Sequence, residues 1–112
     1  MRDLNTFNEN DVCTDPEVIV LRDKSYADSL IIEVAHGPAG WGTGYDYGAR
    51  LTGGGCGVFL KRCVFSSREA AILNEIGSLR ARMKPDLRGQ FGGHLRSLDE
   101  LERELTQLSL FS

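Results

Sequence analysis

Short apolar runs alternate with turn-forming residues in the first part of the chain, a pattern typical of consecutive β-strands. β-branched residues predict a first strand over 17–22, and a second apolar run predicts a strand over 29–36. An aromatic and glycine-rich segment predicts a third strand over 41–51. The glycines at 53–55 favour a hairpin, because glycine tolerates positive φ, and they predict a return strand over 56–65.

Alternate positions of the third predicted strand separate two faces of the sheet. One face carries Tyr45, Tyr47, Ala49 and Leu51, and the other carries Asp46, Gly48 and Arg50.

Apolar residues then recur at helical spacing. A stripe predicts a first helix that faces the sheet and consists of Ile72, Ile76, Leu79 and Met83. Ser66 and Glu69 have the spacing of a capping box at its start, and Pro85 is expected to end it.

A second capping box, Ser97 with Glu100, predicts a C-terminal helix. Its apolar positions continue at helical spacing through Leu98, Leu101, Leu105 and Leu108. Residues 85–96 between the two helices are rich in glycine and polar residues and are expected to form a connector.

This element order predicts an α+β fold. We expect a small antiparallel sheet of three to four strands packed by one helix, with a second C-terminal helix and a tail. The predicted organisation is a flexible N-terminal arm over 1–15, an α+β domain over 16–84, the connector over 85–96, and the C-terminal helix and tail over 97–112.

Composition is that of a small globular domain. Of the 112 residues, 41% are apolar and 26% charged, so the chain is suited to one hydrophobic core. No apolar run approaches the roughly 18 residues of a membrane span, and no apolar stretch follows the N-terminal charges. Three cysteines do not make a disulfide framework. We expect a cytoplasmic protein with free thiols.

Charge is unevenly distributed along the chain. Residues 34–96 carry nine Lys or Arg against four Asp or Glu, whereas the segments on both sides are acidic. A basic middle region can bind polyanions locally although the net charge is −3. The alternative is that the acidic ends pack near the basic region and neutralise it.

Catalytic and cofactor chemistry have little support in the sequence. Cys56 and Cys63 lack the close spacing of a zinc site, and no Cys–His pair stands out as a nucleophilic dyad. The glycine-rich segments are not followed by the Lys-Ser/Thr and helix of a phosphate-binding loop. We therefore expect a protein that is not an enzyme and has no metal and no cofactor.

A nucleic-acid surface is one interpretation of the aromatic and basic residues. Trp41, Tyr45 and Tyr47 would stack on bases, while Arg50, Lys61 and Arg62 would hold phosphates. The alternative is that the two tyrosines belong to the core and the basic residues to a solvated face.

The C-terminal tail contains the most specific functional motif in the sequence. Gln107, Leu108, Ser109, Leu110 and Phe111 form a segment that resembles the Gln-Leu-Ser/Asp-Leu-Phe peptide with which bacterial proteins bind the replicative sliding clamp. The resemblance implies an extended peptide whose Leu and Phe fill an apolar cleft. The alternative is that Leu108 continues the helical stripe while Leu110 and Phe111 pack on the core.

Residues 41–75 resemble, more loosely, small glycine-rich accessory domains of bacterial phages and plasmids. Together the two resemblances imply a non-enzymatic accessory protein of a bacterial mobile element or its host, which docks on the sliding clamp. The alternatives are a small nucleic-acid-binding module and a phage counter-defence inhibitor that binds a host immune protein.

Overall fold

A computed structural model describes residues 4–111, with side chains described through Gln107. One antiparallel sheet, in the order β1-β2-β3-β4, consists of Glu17–Ser25, Asp28–Gly37, Gly40–Gly48 and Gly53–Cys56. A 3₁₀ helix, Leu60–Arg62, follows the sheet, and then come helices α1, Arg68–Met83, and α2, Gly92–Phe111. The predicted α+β fold is therefore confirmed.

The core lies between one face of the sheet and the two helices. Leu30, Ile32 and Val34 alternate along β2 and are at most 1% exposed, and Tyr47, Tyr45 and Thr43 stand opposite them on β3. The predicted stripe of α1 is buried in full, and Leu98, Leu101 and Leu105 of α2 complete this core. Burying one such aliphatic side chain contributes about 1.5–3 kcal/mol.

The prediction of the fourth strand was wrong in its position. The glycine run is itself β4, and the turn before it is closed by the Ala49 N–H, which donates to the Thr52 carbonyl at 2.8 Å. A Cβ on Gly54 would lie 3.1 Å from the Tyr47 ring, so the missing side chains make room for neighbours on β3. Residues 57–65, expected in a strand, make isolated bridges and the 3₁₀ helix instead.

Both helices also begin at residues other than those predicted. Ser67, not Ser66, caps α1, and its side chain accepts from the Ala70 N–H at 3.0 Å. Helix α2 begins at Gly92, inside the predicted connector and before Ser97. Phe91 and His94 explain the early start, because both are buried and the Phe91 ring meets the Tyr47 ring edge-on at 5.8 Å.

The described part of the N-terminal segment, expected as a flexible arm, is paired with the domain. The Asn5 N–H donates to the His36 carbonyl at 2.9 Å, and the Asn5 Oδ1 accepts from the His36 N–H at 2.7 Å. A second small cluster on the opposite face of the sheet from the main core contains Cys13, Ala35, Val58 and Cys63. These contacts make the segment part of the folded body.

Two glycines provide a matched test of this packing. A Cβ on Gly44 would lie 2.3 Å from the Cys56 carbonyl oxygen, whereas a Cβ on Gly77 of α1 meets nothing within 4 Å. We expect Gly44→Ala to lower the free energy of unfolding by about 1–3 kcal/mol, because β3 and β4 must move apart. Gly77→Ala should raise it by about 0.5–1 kcal/mol, because alanine favours the helix.

Urea denaturation of the two variants measures both effects. Equal stability of the two variants would contradict the close contact between β3 and β4.

Candidate functional site

The C-terminal end of α2 extends past the core. Leu105 is 6% exposed and is the last buried residue in the described part of the chain, whereas Thr106 and Gln107 are exposed. The backbone remains helical through Phe111. The side chains of Leu108, Ser109, Leu110 and Phe111, which belong to the predicted clamp-binding segment, lie outside the described residues.

The residues in the last turn of α2 do not stabilise the C-terminal end of the helix electrostatically. The last turn of α2 contains no basic residue, so the helix itself supplies no cation to complement the negative end of its dipole. The last four carbonyls of any α-helix also lack partners within the helix. The clamp-like segment therefore lies where helical structure is least stabilised.

The aromatic residues proposed for base stacking are already engaged. The Trp41 ring stacks on the His36 ring at 4.2 Å with an interplanar angle of 6°. Tyr47 is buried in the core, and the half-buried Tyr45 packs against it with the Arg82 guanidinium 5.2 Å from its ring centre. In this conformation the rings act as packing groups between sheet and helices.

The basic residues of the same proposal are separated. Arg50 is exposed just beyond the end of β3, whereas Lys61 and Arg62 lie on the 3₁₀ helix, which packs near the other end of that strand. Lys61 and Arg62 share a shallow cleft with Glu75, whose negative charge opposes theirs. The structure does not bring the six residues together on one surface.

Glu75 is the buried carboxylate of this region. It is 6% exposed, and its Oε1 accepts a hydrogen bond from the Thr43 hydroxyl at 3.0 Å. Burial raises the pKa of Glu75, while the Thr43 hydrogen bond and the charges of Arg62 and Arg82 act in the opposite direction. The carboxylate lines the Lys61–Arg62 cleft at a cost to stability when it is ionised.

The thiols are free and poorly suited to nucleophilic chemistry. Cys13 and Cys63 are buried, and burial raises the pKa of both thiols, which lowers the thiolate fraction near neutral pH. Cys56 is partly exposed. Within residues 4–111 no group of three or more His, Cys, Asp or Glu has a metal-binding arrangement.

A second cleft contains residues that the sequence did not single out. It lies between the β1–β2 hairpin and the start of α2, has a volume of about 400 Å³, and is lined by Arg22, Arg50, Arg88, His94 and Arg96 among others. The residues come from separate segments, so no linear motif joins them.

The effect of the buried Glu75 charge can be tested through the free energy of unfolding. A carboxyl whose folded pKa is raised loses stability as the pH rises from its ordinary pKa through the raised value. Glu75→Gln keeps an oxygen acceptor for Thr43 and removes the charge, so we expect it to stabilise the protein by on the order of 1 kcal/mol at pH 7. The gain in stability should disappear near pH 4, where the Glu75 side chain of the natural protein is protonated and therefore as uncharged as glutamine.

Urea denaturation at the two pH values measures this, with Glu104→Gln at an exposed position as the control. A Glu75→Gln variant that is less stable at both pH values would show that the ionised carboxylate stabilises the fold.

Comparisons with protein-family models, with curated proteins and with solved structures find no match for this chain. Among the described residues, no helix is both long enough and apolar enough to cross a membrane. Two places on this chain have features suited to binding a partner or ligand: the end of α2 and the arginine-lined cleft at its start.

Proposed function

We propose that the protein docks on a bacterial replicative sliding clamp through residues 107–111. The observation that carries the proposal is the position of the clamp-like peptide, which begins two residues after Leu105, the last buried residue of α2 in the described part of the chain. A peptide in this position can leave the helix without removing a described core side chain.

Docking requires a change of backbone conformation. The resemblance implies a peptide that binds extended, whereas residues 107–111 are helical in the free chain. Terminal turns open at a free-energy cost close to zero, and the last turn of α2 lacks a cation at its negative end. Unwinding of one turn is therefore a small cost against the burial of a Leu and a Phe in a cleft.

The α+β domain has a different role in this proposal. It is the body that the peptide brings to the clamp. Docking then either localises this body at the replication fork or blocks the cleft that other clamp partners need. This is the role of a non-enzymatic accessory protein of a bacterial mobile element or its host. The nucleic-acid interpretation has less support, because the Trp41 ring stacks on His36 and the Tyr45 and Tyr47 rings pack with the core.

The first test separates the peptide from the domain. A chain truncated after Thr106 keeps Leu98, Leu101 and Leu105, the described core residues of α2. We expect its melting temperature to fall by only a few degrees, because a change of about 1 kcal/mol moves the melting temperature of a domain this size by roughly 4–8 °C.

Thermal unfolding followed by circular dichroism measures this, and the same truncated chain should not bind clamp. A much larger loss of stability would mean that residues 107–112 belong to the core, contrary to the proposal.

The second test concerns the peptide's side chains. We expect Leu110→Ala and Phe111→Ala each to weaken clamp binding by about 1–3 kcal/mol, through lost apolar burial. Gln107→Ala should cost about 1 kcal/mol, because its partner at the cleft entrance loses a hydrogen bond. Ser109→Asp should bind like the natural chain, because the motif accepts either residue.

Calorimetry with purified bacterial clamp measures these affinities, and Thr106→Ala, just outside the motif, is the matched control. A synthetic peptide of residues 103–112 should bind in the micromolar range, as expected for a short segment that orders on binding. Failure of both peptide and full chain to bind at high micromolar concentration would refute the proposal.

A further inference from the structure

The cleft beside the start of α2 collects positive charge from four separate segments. Arg22 comes from β1, Arg50 follows β3, Arg88 lies before α2 and Arg96 lies in its second turn. Asp28 is the acidic residue of the lining. Arg88 forms an ion pair with Asp86, in which its Nε is 3.1 Å from the Asp86 Oδ1. Among the described residues, neither Arg50 nor Arg96 forms an ion pair.

The first turn of α2 adds its backbone donors to the same cleft. The helix has 20 residues and no acidic residue in its first turn. No described side chain accepts a hydrogen bond from the N–H groups of residues 92–94. Free N–H groups and the positive end of the helix dipole favour an anion at this position.

Arg22 is fixed against the helix start. Its guanidinium pairs with Asp28, and Nη1 donates to the Gly93 carbonyl at 3.2 Å and to the Ser97 hydroxyl at 3.4 Å. A Cβ on Gly93 would lie 2.6 Å from the Arg22 Cζ, so glycine at this position lets the guanidinium lie against the backbone. Asp28 balances the charge of Arg22, and the net positive charge comes from the other arginines.

His94 provides a separate observation that points to a ligand. The side chain is 2% exposed, lines the cleft, and its Nε2 is 2.9 Å from the Gly48 carbonyl oxygen. Because a carbonyl accepts, Nε2 carries a proton, and Nδ1 is the ring nitrogen left for a ligand. Nδ1 is buried and has no hydrogen-bond partner among the described residues. A buried ring nitrogen without a partner is costly unless a ligand supplies one.

We propose that this cleft binds a phosphate monoester group. Arginine forks and a helix N-terminus are suited to phosphate oxygens, and the same group can form a hydrogen bond with the Nδ1 of His94. The phosphate monoester dianion is more basic than sulfate or a carboxylate, so its oxygens accept stronger hydrogen bonds from the arginines and the helix N-terminus. The volume of about 400 Å³ leaves room for a small group attached to the phosphate.

The site is independent of clamp docking. It lies at the start of α2, and the clamp-like segment lies at the other end of the same 20-residue helix, roughly 25 Å away at 1.5 Å per residue. A variant at one end therefore leaves the other intact, and either proposal can fail alone.

The binding test titrates the full chain with inorganic phosphate and glycerol 3-phosphate, followed by ¹H–¹⁵N NMR. We expect the largest shifts at the amides of residues 92–94. Sulfate should bind more weakly than phosphate. The double variant Arg50→Gln/Arg96→Gln removes two exposed, unpaired arginines and should weaken binding about tenfold for each. Arg103→Gln, exposed on the same helix outside the cleft, is the matched control and should bind normally.

A second arm identifies the source of the phosphate. A 5′-phosphorylated thymidine dinucleotide is compared with its 5′-hydroxyl form and with glycerol 3-phosphate. Tighter binding of the phosphorylated dinucleotide indicates a nucleic-acid end, and tighter binding of glycerol 3-phosphate indicates a small metabolite, both within the proposal. Equal binding of the two dinucleotides, at least as tight as that of glycerol 3-phosphate, would refute it, because the diester backbone would then be the ligand.

Absence of binding at millimolar phosphate would also refute the proposal. So would amide shifts that are the same for sulfate and unchanged in the double variant, since that result indicates an adventitious ion only. Gly93→Ala adds a check on geometry, because it displaces the Arg22 guanidinium and should weaken phosphate binding while circular dichroism shows the fold retained.

Discussion

Burial of one face of β2 beneath both helices is the constraint on which the remaining structure depends. Leu30, Ile32 and Val34 occupy that face, and β2 is the strand that pairs with both β1 and β3. A shift of register by one residue would turn all three side chains to the opposite face and lose several kcal/mol of apolar burial. The position of β2 therefore fixes the sheet, and the sheet fixes where α1 and α2 can pack.

The start of α2 follows from the same core. Phe91 and His94 are buried against β3, and the Arg22 guanidinium bridges from β1 to the Gly93 carbonyl. These contacts set the first helical turn at the end of the β1–β2 hairpin, where Arg50 also approaches. The arginine-lined cleft is thus a consequence of how the helix docks, and its backbone donors are held in place before any ligand arrives.

The periodicity of apolar residues predicted the elements whose conformation depends on that periodicity. The strand containing Leu30, Ile32 and Val34 and the stripe of α1 could be read from the sequence because each repeats at its own period. β4 could not, since glycines carry no pattern and contacts with Tyr47 and Asp46 decide their conformation. The start of α2 could not be predicted either, because it depends on where Phe91 packs. The arginine-lined cleft could not be predicted because its residues are far apart in the chain. The clamp-like peptide is readable because it is linear, and its helical backbone is not part of that signal.

Helix α2 has two ends with opposite physical properties. Its middle is fixed by Leu98, Leu101 and Leu105, so neither end can move as a whole without opening the core. At the start, buried His94 and the Arg22 contact hold unpaired N–H donors in one geometry, which suits a small rigid anion. At the other end, the last turn lies beyond Leu105 and has no cation to complement its carbonyls, which suits a segment that must unwind to bind. The same core packing therefore preorganises one end of the helix and leaves the other free to change conformation.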